Sequence, residues 1–107
     1  MSEVKNSFFV RTNNRIIKIK LEELCAIEAK GDYVRIVTLY SSHVVHATLS
    51  RILKVLPVGD FVRIHNSHCV CLDKISSIEG GSAYVNGKLY PIGREGKKNL
   101  MERITVL

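Results

Sequence analysis

Residues 61–75 read FVRIHNSHCVCLDKI, and the fold turns on how this stretch is interpreted. Two strand-like runs flank a short polar corner, His65-Asn66-Ser67. Phe61 alternates with Val62 and Arg63 with Ile64, the period at which an extended strand separates two faces. The second run, Cys69 to Leu72, is almost wholly apolar. A strand pair that buries one side and projects Arg63, His65, Asn66 and Ser67 from its end is expected to mount a binding surface on a core.

Working outward, the other turn signals repeat this pattern. Asn86-Gly87 lies between Ala83–Val85 and Lys88–Ile92, and Asn-Gly supplies the two positive-φ residues of a tight hairpin turn. Asn13-Asn14 separates a first strand, begun by Phe8, Phe9 and Val10, from Arg15 to Lys20. Further strands are expected over Cys25–Ala29, Tyr33–Leu39, His43–Ala47 and Ile75–Glu79. On Tyr33–Leu39, Tyr33, Arg35 and Val37 share one face and Val34, Ile36 and Thr38 the other. Leu49, Ile52, Leu53 and Leu56 follow the i, i+3, i+4, i+7 spacing of an apolar helical stripe, with Thr48 or Ser50 as the cap and Pro57 and Gly59 as the stop. Leu100, Met101 and Ile104 make a second stripe in a final helical segment, Arg94 to Ile104. The expected fold is therefore mainly β: about ten short strands in packed antiparallel sheets, with one short internal helix and a C-terminal helix.

Composition narrows the class of function. At 107 residues the chain fits one domain, with residues 1–6 as a loose polar tail and residues 7–107 as the folded unit. A hydrophobic content of 46% with 24% charged residues is that of a globular domain, not a disordered one. No eighteen-residue apolar run and no charged-then-apolar leader occurs, so the expected location is the cytoplasm, with no membrane partner. Sixteen Lys and Arg against ten Asp and Glu leave a net charge of +6. Such an excess favours a polyanionic partner, because neutralising phosphates releases condensed counterions. It does not read a sequence.

The chemistry-bearing residues point away from catalysis and metal binding. There is no Gly-rich phosphate loop, nucleophile elbow or H-E-x-x-H, and the carboxylates are scattered. His65, His68, Cys69 and Cys71 suggest a zinc site, but neighbours on an extended strand point to opposite faces and cannot converge on one tetrahedral ion. Cys25, Cys69 and Cys71 are expected to be reduced thiols, and no cofactor is expected. A protein-interaction or thiol- and metal-sensing module without DNA binding is the alternative of a different class. A small RNA-binding barrel would need exposed aromatics to stack unpaired bases. The chain has no Trp, and Phe8, Phe9 and Phe61 are expected in the core.

Three separated motifs carry a family resemblance. F-x-R-x-H-N-S-x-x-V-x-x-x-K-I from Phe61 to Ile75, the upstream Ile27-Glu28-Ala29-Lys30-Gly31-Asp32-Tyr33-Val34, and the downstream Pro91-Ile92-Gly93-Arg94 resemble, in order, signatures of the LytTR family. That family comprises the β-rich DNA-binding domains of bacterial LytR/AlgR-type response regulators. The resemblance runs from about Phe9 to Ile104. It implies sequence-specific binding of double-stranded DNA at direct repeats, as a pair on the DNA, with loops at one side of the domain reading major-groove bases. It also implies a phosphoacceptor receiver domain in cis where the domain is the output half of a two-component regulator.

By position, the resemblance assigns base contacts to the loop Lys30, Asp32 and Tyr33, to the corner His65, Asn66 and Ser67, and to Arg94. An Arg fork can bond guanine N7 and O6, and an Asn amide can bond adenine bidentately, so Arg94 and Asn66 are the expected base readers. Lys97, Lys98 and Ser67 are expected on phosphates, which fix register without carrying sequence information. Cations at a helix start oppose its dipole, which gives Arg94, Lys97 and Lys98 a reason other than stability. The plainer alternatives are that Asn66 only forms a turn, that Arg94 is a solvated cation, and that Tyr33 is an aromatic at the core edge.

Overall fold

In the computed structural model, residues 6–57 and 59–107 are described, and ten strands with two helices follow one another in chain order. Strands β1 (Ser7–Thr12) and β2 (Arg15–Lys20) form a hairpin whose tip needs a left-handed residue, and Asn13 takes it at φ 52°. Next come β3 (Leu24–Lys30), β4 (Tyr33–Thr38), β5 (Ser42–Val45), the short helix α1 (Leu49–Leu53), β6 (Phe61–His65) and β7 (His68–Cys71). The chain ends with β8 (Ile75–Glu79), β9 (Ser82–Val85), β10 (Lys88–Pro91) and helix α2 (Arg94–Met101). Asn86 and Gly87 have φ of 47° and 84°, as the tight turn between β9 and β10 requires. Of the expected tail, residues 1–5 lie outside the described residues, and the Asn6 carbonyl accepts a bond from Leu21 N–H at 2.9 Å.

All the pairing is antiparallel, in three sheets: β1-β2, a central β5-β4-β3-β7-β6, and β10-β9-β8. The central sheet is covered on both faces. On one face Ile27, Val34, Ile36, Phe61, Cys69 and Cys71 pack with Val10 and Ile19 of the first hairpin and Leu49, Ile52 and Leu56 of the α1 region. On the other, Ala26, Val62, Ile64 and Val70 pack with Ala83, Val85, Tyr90 and Leu100. A register shift between Leu24 and Ala26 breaks the alternation of β3, so that Cys25 and Ala26 both belong to the second core while Leu24 and Ile27 belong to the first.

Two expectations need correction. The β6-β7 pair was expected to bury one side, yet Phe61 faces one core and Val62 and Ile64 the other, because strands at this position have a layer on each face. Phe9 was expected in the core and is 62% exposed. A two-stranded hairpin packed on one face buries alternate residues only, and Val10 occupies the inward position next to it. The helices are also shorter than their apolar stripes. Thr48 caps α1, accepting from Arg51 N–H at 3.1 Å, and the helix gives way after Leu53, before Pro57. Leu56 and Ile104 still reach their cores from the turns that follow.

Helix α2 lies directly on β6, and Gly96 is what allows it. A Cβ at this position would fall 1.9 Å from the Ile64 carbonyl oxygen, a backbone atom that cannot rotate away. Leu100, fully buried, fastens the next turn. We expect Leu100→Ala to cost about 2–5 kcal/mol in urea unfolding. Gly96→Ala, which adds one carbon, should cost about 1–3 kcal/mol by forcing α2 off the strand. A Gly96→Ala protein as stable as the parent would contradict this packing.

Candidate nucleic-acid interface

The strand order places the expected site residues at one end of the central sheet. The β3-β4 turn, Gly31-Asp32, follows Lys30 and precedes Tyr33, which pair with each other. β3 also pairs with β7, with Glu28 opposite His68, and Ala29 N–H donates to the Ser67 carbonyl at 2.8 Å. The Asn66-Ser67 turn is therefore beside the Gly31-Asp32 turn. The start of α2 joins them, because Gly93 N–H donates to the Ile64 carbonyl at 2.7 Å.

Within this end, the corner is internally braced. Arg63 Nη2 donates to the Asn66 carbonyl at 2.6 Å, closing the turn from its own strand. Ser67 N–H donates to His65 Nδ1 at 3.1 Å. With Nδ1 as acceptor, the neutral His65 ring carries its proton on Nε2. These bonds use main-chain atoms of Asn66 and Ser67, so the Asn66 amide is left exposed and free to bond elsewhere. Arg63, His65, Asn66, Arg94 and Asn99 line one depression together with Gly93, Gly96 and the carboxylate-bearing Glu95. Asn66 and Arg94 are thus brought together. Lys97 and Lys98 are exposed on the following turn of α2, roughly 5 Å further along its axis, and do not line the depression.

Lys30, Asp32 and Tyr33 are exposed beside the corner. Tyr33 is 50% exposed, and its ring meets that of His46 edge-on at 5.1 Å and 61°. His46 follows β5, whose Val45 pairs with Val34, so it belongs to this end of the sheet. The sequence reading missed it, along with the bracing role of Arg63 and the close approach at Gly96. Arg63 stood in the F-x-R motif, but its partner is a carbonyl, which no residue pattern reveals.

Behind the corner a polar cluster links the central sheet to the third one. The Glu28 carboxylate accepts from Lys88 Nζ at 2.8 Å and from the Tyr90 hydroxyl at 2.9 Å through the same oxygen. Tyr90 is buried, and burial together with this carboxylate pushes its pKa up, keeping the hydroxyl a donor. For Glu28 burial acts to raise the pKa, but the bonds from Lys88 and Tyr90 and the charges of Lys88 and Arg35 outweigh it and hold the carboxyl below its ordinary 4.5. His68 stacks edge-on against Tyr90 at 5.6 Å and sits 5.1 Å from the His65 ring. Burial, then the neighbouring His65, lowers its pKa. Cys69, on the opposite face, is pushed up to about 12 by burial and is a protonated core thiol. The His and Cys side chains are accordingly divided between two cores, and among the described residues no three His, Cys, Asp or Glu are grouped to hold a metal ion.

Charge is unevenly divided between the two ends of the sheet. Lys30, Arg63, Arg94, Lys97 and Lys98 are at or near the end just described, with Asp32 and Glu95 between them. Glu22 and Glu23 precede β3, Asp60 precedes β6 and Asp73 follows β7, which puts these four at the other end, where Lys74, bonded to the Glu22 carbonyl, and Arg103, bonded to the Phe61 carbonyl, offset part of their charge. The field of such a domain turns its basic end toward a polyanion during encounter.

A family model for the LytTr DNA-binding domain matches residues 14–105. Among solved structures, the chain resembles a LytTr DNA-binding domain of a response regulator from Bacillus cereus, at 18% identity and a TM-score of 0.80. That match covers 94% of this chain and 97% of the other. No curated protein matches the chain.

The Glu28 cluster generates a pH prediction. Because the folded pKa of Glu28 lies below its ordinary 4.5, the unfolded chain takes up that proton first. The associated stability is full above 4.5 and lost as pH falls below it. For His68, depressed from 6.5, stability is likewise lost on acidification, but the loss begins at higher pH. In thermal unfolding from pH 7 to pH 3, Glu28→Gln should be less stable than the parent at neutral pH, and the two should converge below pH 4.5. A constant difference between the two proteins across this range would sink the assignment.

Proposed function

Because the chain belongs to the LytTr DNA-binding domain family, we propose that it binds double-stranded DNA sequence-specifically as the DNA-reading part of a bacterial transcription regulator, with Asn66 and Arg94 reading bases in the major groove. The observation that carries this reading is the shared depression in which Asn66 and Arg94 stand together, on a turn and a helix start joined by the Gly93–Ile64 hydrogen bond. A guanidinium fork fits guanine O6 and N7, and a carboxamide fits adenine N6 and N7. Both need a backbone that does not give way when the side chain enters a groove, and the bracing by Arg63 and the Ile64 carbonyl supplies it.

The remaining residues take roles that follow from their charge and position. Lys97 and Lys98, one turn behind Arg94, grip phosphates, and Ser67 does the same from the corner. His65 offers its Nε2–H outward. Lys30, Asp32 and Tyr33 engage the duplex from the next turn, with Tyr33 steadied by His46. On the family pattern the sites are direct repeats bound by a pair of domains, a receiver domain acts in cis where the domain is the output half of a two-component regulator, and the protein works in the cytoplasm. No helix among the described residues is long and apolar enough to cross a membrane.

The test is selection from a randomised duplex pool, with the retained fraction sequenced at two salt concentrations. The parent is expected to return a defined motif. Asn66→Ala and Arg94→Ala should each lose discrimination at different positions of it, by about 1–3 kcal/mol. Lys97→Ala should weaken all sequences alike and lower the slope of log affinity against log salt by about one. A pool without a motif, or mutants with the parent's preferences, would reject base reading by these side chains.

A further inference from the structure

At the far edge of the basic end stands an element outside the three loops assigned so far. β5 is the edge strand opposite β6, so the end of β5 lies three to four strand spacings, roughly 14–19 Å, from the Asn66 corner that joins β6 to β7. The tip of the β1-β2 hairpin is fixed there. Thr12 Oγ1 donates to the Val44 carbonyl at 2.9 Å, and Arg11, Thr12, Asn13, Tyr33, Val44 and His46 line a depression of about 320 Å³. The tip therefore adjoins Tyr33, a residue of the proposed interface. Arg11 and Arg15 flank it, both exposed and with no side-chain hydrogen bond or ion pair among the described residues. No carboxylate lines the depression.

We infer that the Asn13-Asn14 hairpin tip is a fourth DNA contact, in which Arg11 and Arg15 hold the phosphate backbone beyond the groove that the Asn66 corner enters. The inference rests on the DNA-reading function proposed above. A major groove is roughly 12 Å wide, so with the sheet edge lying across it, an element this far from the corner reaches past the groove wall and meets backbone. Two unpaired guanidiniums suit phosphate oxygens, which they can bond bidentately. Tying the tip to β5 through Thr12 limits the freedom that the arginines lose on binding.

The experiment uses the full chain and a duplex carrying the motif selected by the parent, with affinity measured over a range of salt concentrations. Arg11→Ala/Arg15→Ala should lower the salt slope by about one to two units, weaken every sequence alike and leave the selected motif unchanged. Ethylation interference should disappear at phosphates on one side of the motif. The control is Lys20→Ala/Lys54→Ala, which removes the same charge at the other end of the hairpin, where Lys20 pairs with Ser7 and Lys54 lines a cavity with it. Its slope should stay near the parent's. Equal drops in both double variants would reduce the effect to net charge and overturn the contact. A parental slope in Arg11→Ala/Arg15→Ala, with Asn66→Ala still altering the motif, would overturn the hairpin contact and leave base reading standing. A parent without salt-dependent duplex affinity removes both.

Discussion

The Ile64 carbonyl is the point on which the basic end of this domain depends. It accepts from Gly93 N–H at 2.7 Å and lies so close to Gly96 that no side chain fits between strand and helix. One peptide group of β6 thus sets both where α2 begins and how near it lies. Since β6 runs on into His65 and the Asn66-Ser67 turn, Arg94 and Asn66 are held by neighbouring residues of a single backbone connection. Their separation is then a property of a strand and a helix, not of two independent loops. Positional precision of this kind is what hydrogen bonding to base edges demands.

The layers on either side keep that connection rigid. The central sheet has a core on each face, so β6 and β7 contribute buried residues in both directions and neither strand can slip register without emptying one of the cores. The Glu28 carboxylate adds a polar tie from β3 to Lys88 and Tyr90 of the third sheet. It is the one ion pair among the described residues, with Lys88 more than half exposed and Glu28 nearly covered. An exposed partner limits what the ion pair contributes, so the bond to the buried Tyr90 hydroxyl carries more of the stabilisation. That hydroxyl would otherwise be buried without an acceptor.

Much of this was legible in the sequence, for identifiable reasons. Asn86-Gly87 and Asn13-Asn14 announced their hairpins because few residues tolerate positive φ, and the stripes at Leu49 and Leu100 announced the helices. Period two on β4 separated Tyr33 and Arg35 from the buried Val34 and Ile36 as observed. Other features depend on contacts between distant residues. Phe9 was misassigned because hydrophobicity does not say that a hairpin is packed on one face only. The second layer over β6 was missed because Phe61 and Val62 look the same whether one or both faces are covered. Gly96 reads as a helix-weakening glycine until the Ile64 carbonyl is seen beneath it. The motif did bring Asn66 and Arg94 to notice, but their common depression required the β6–α2 packing.

Backbone amide shifts followed while the parent protein is titrated with its selected duplex would test the central claim most directly. Binding by the basic end predicts that the perturbed amides gather at Asn13-Asn14, Gly31 to Tyr33, His46, His65 to His68 and Gly93 to Lys98. Shifts centred instead on Glu22, Asp60 and Asp73, at the other end of the same sheet, would contradict it.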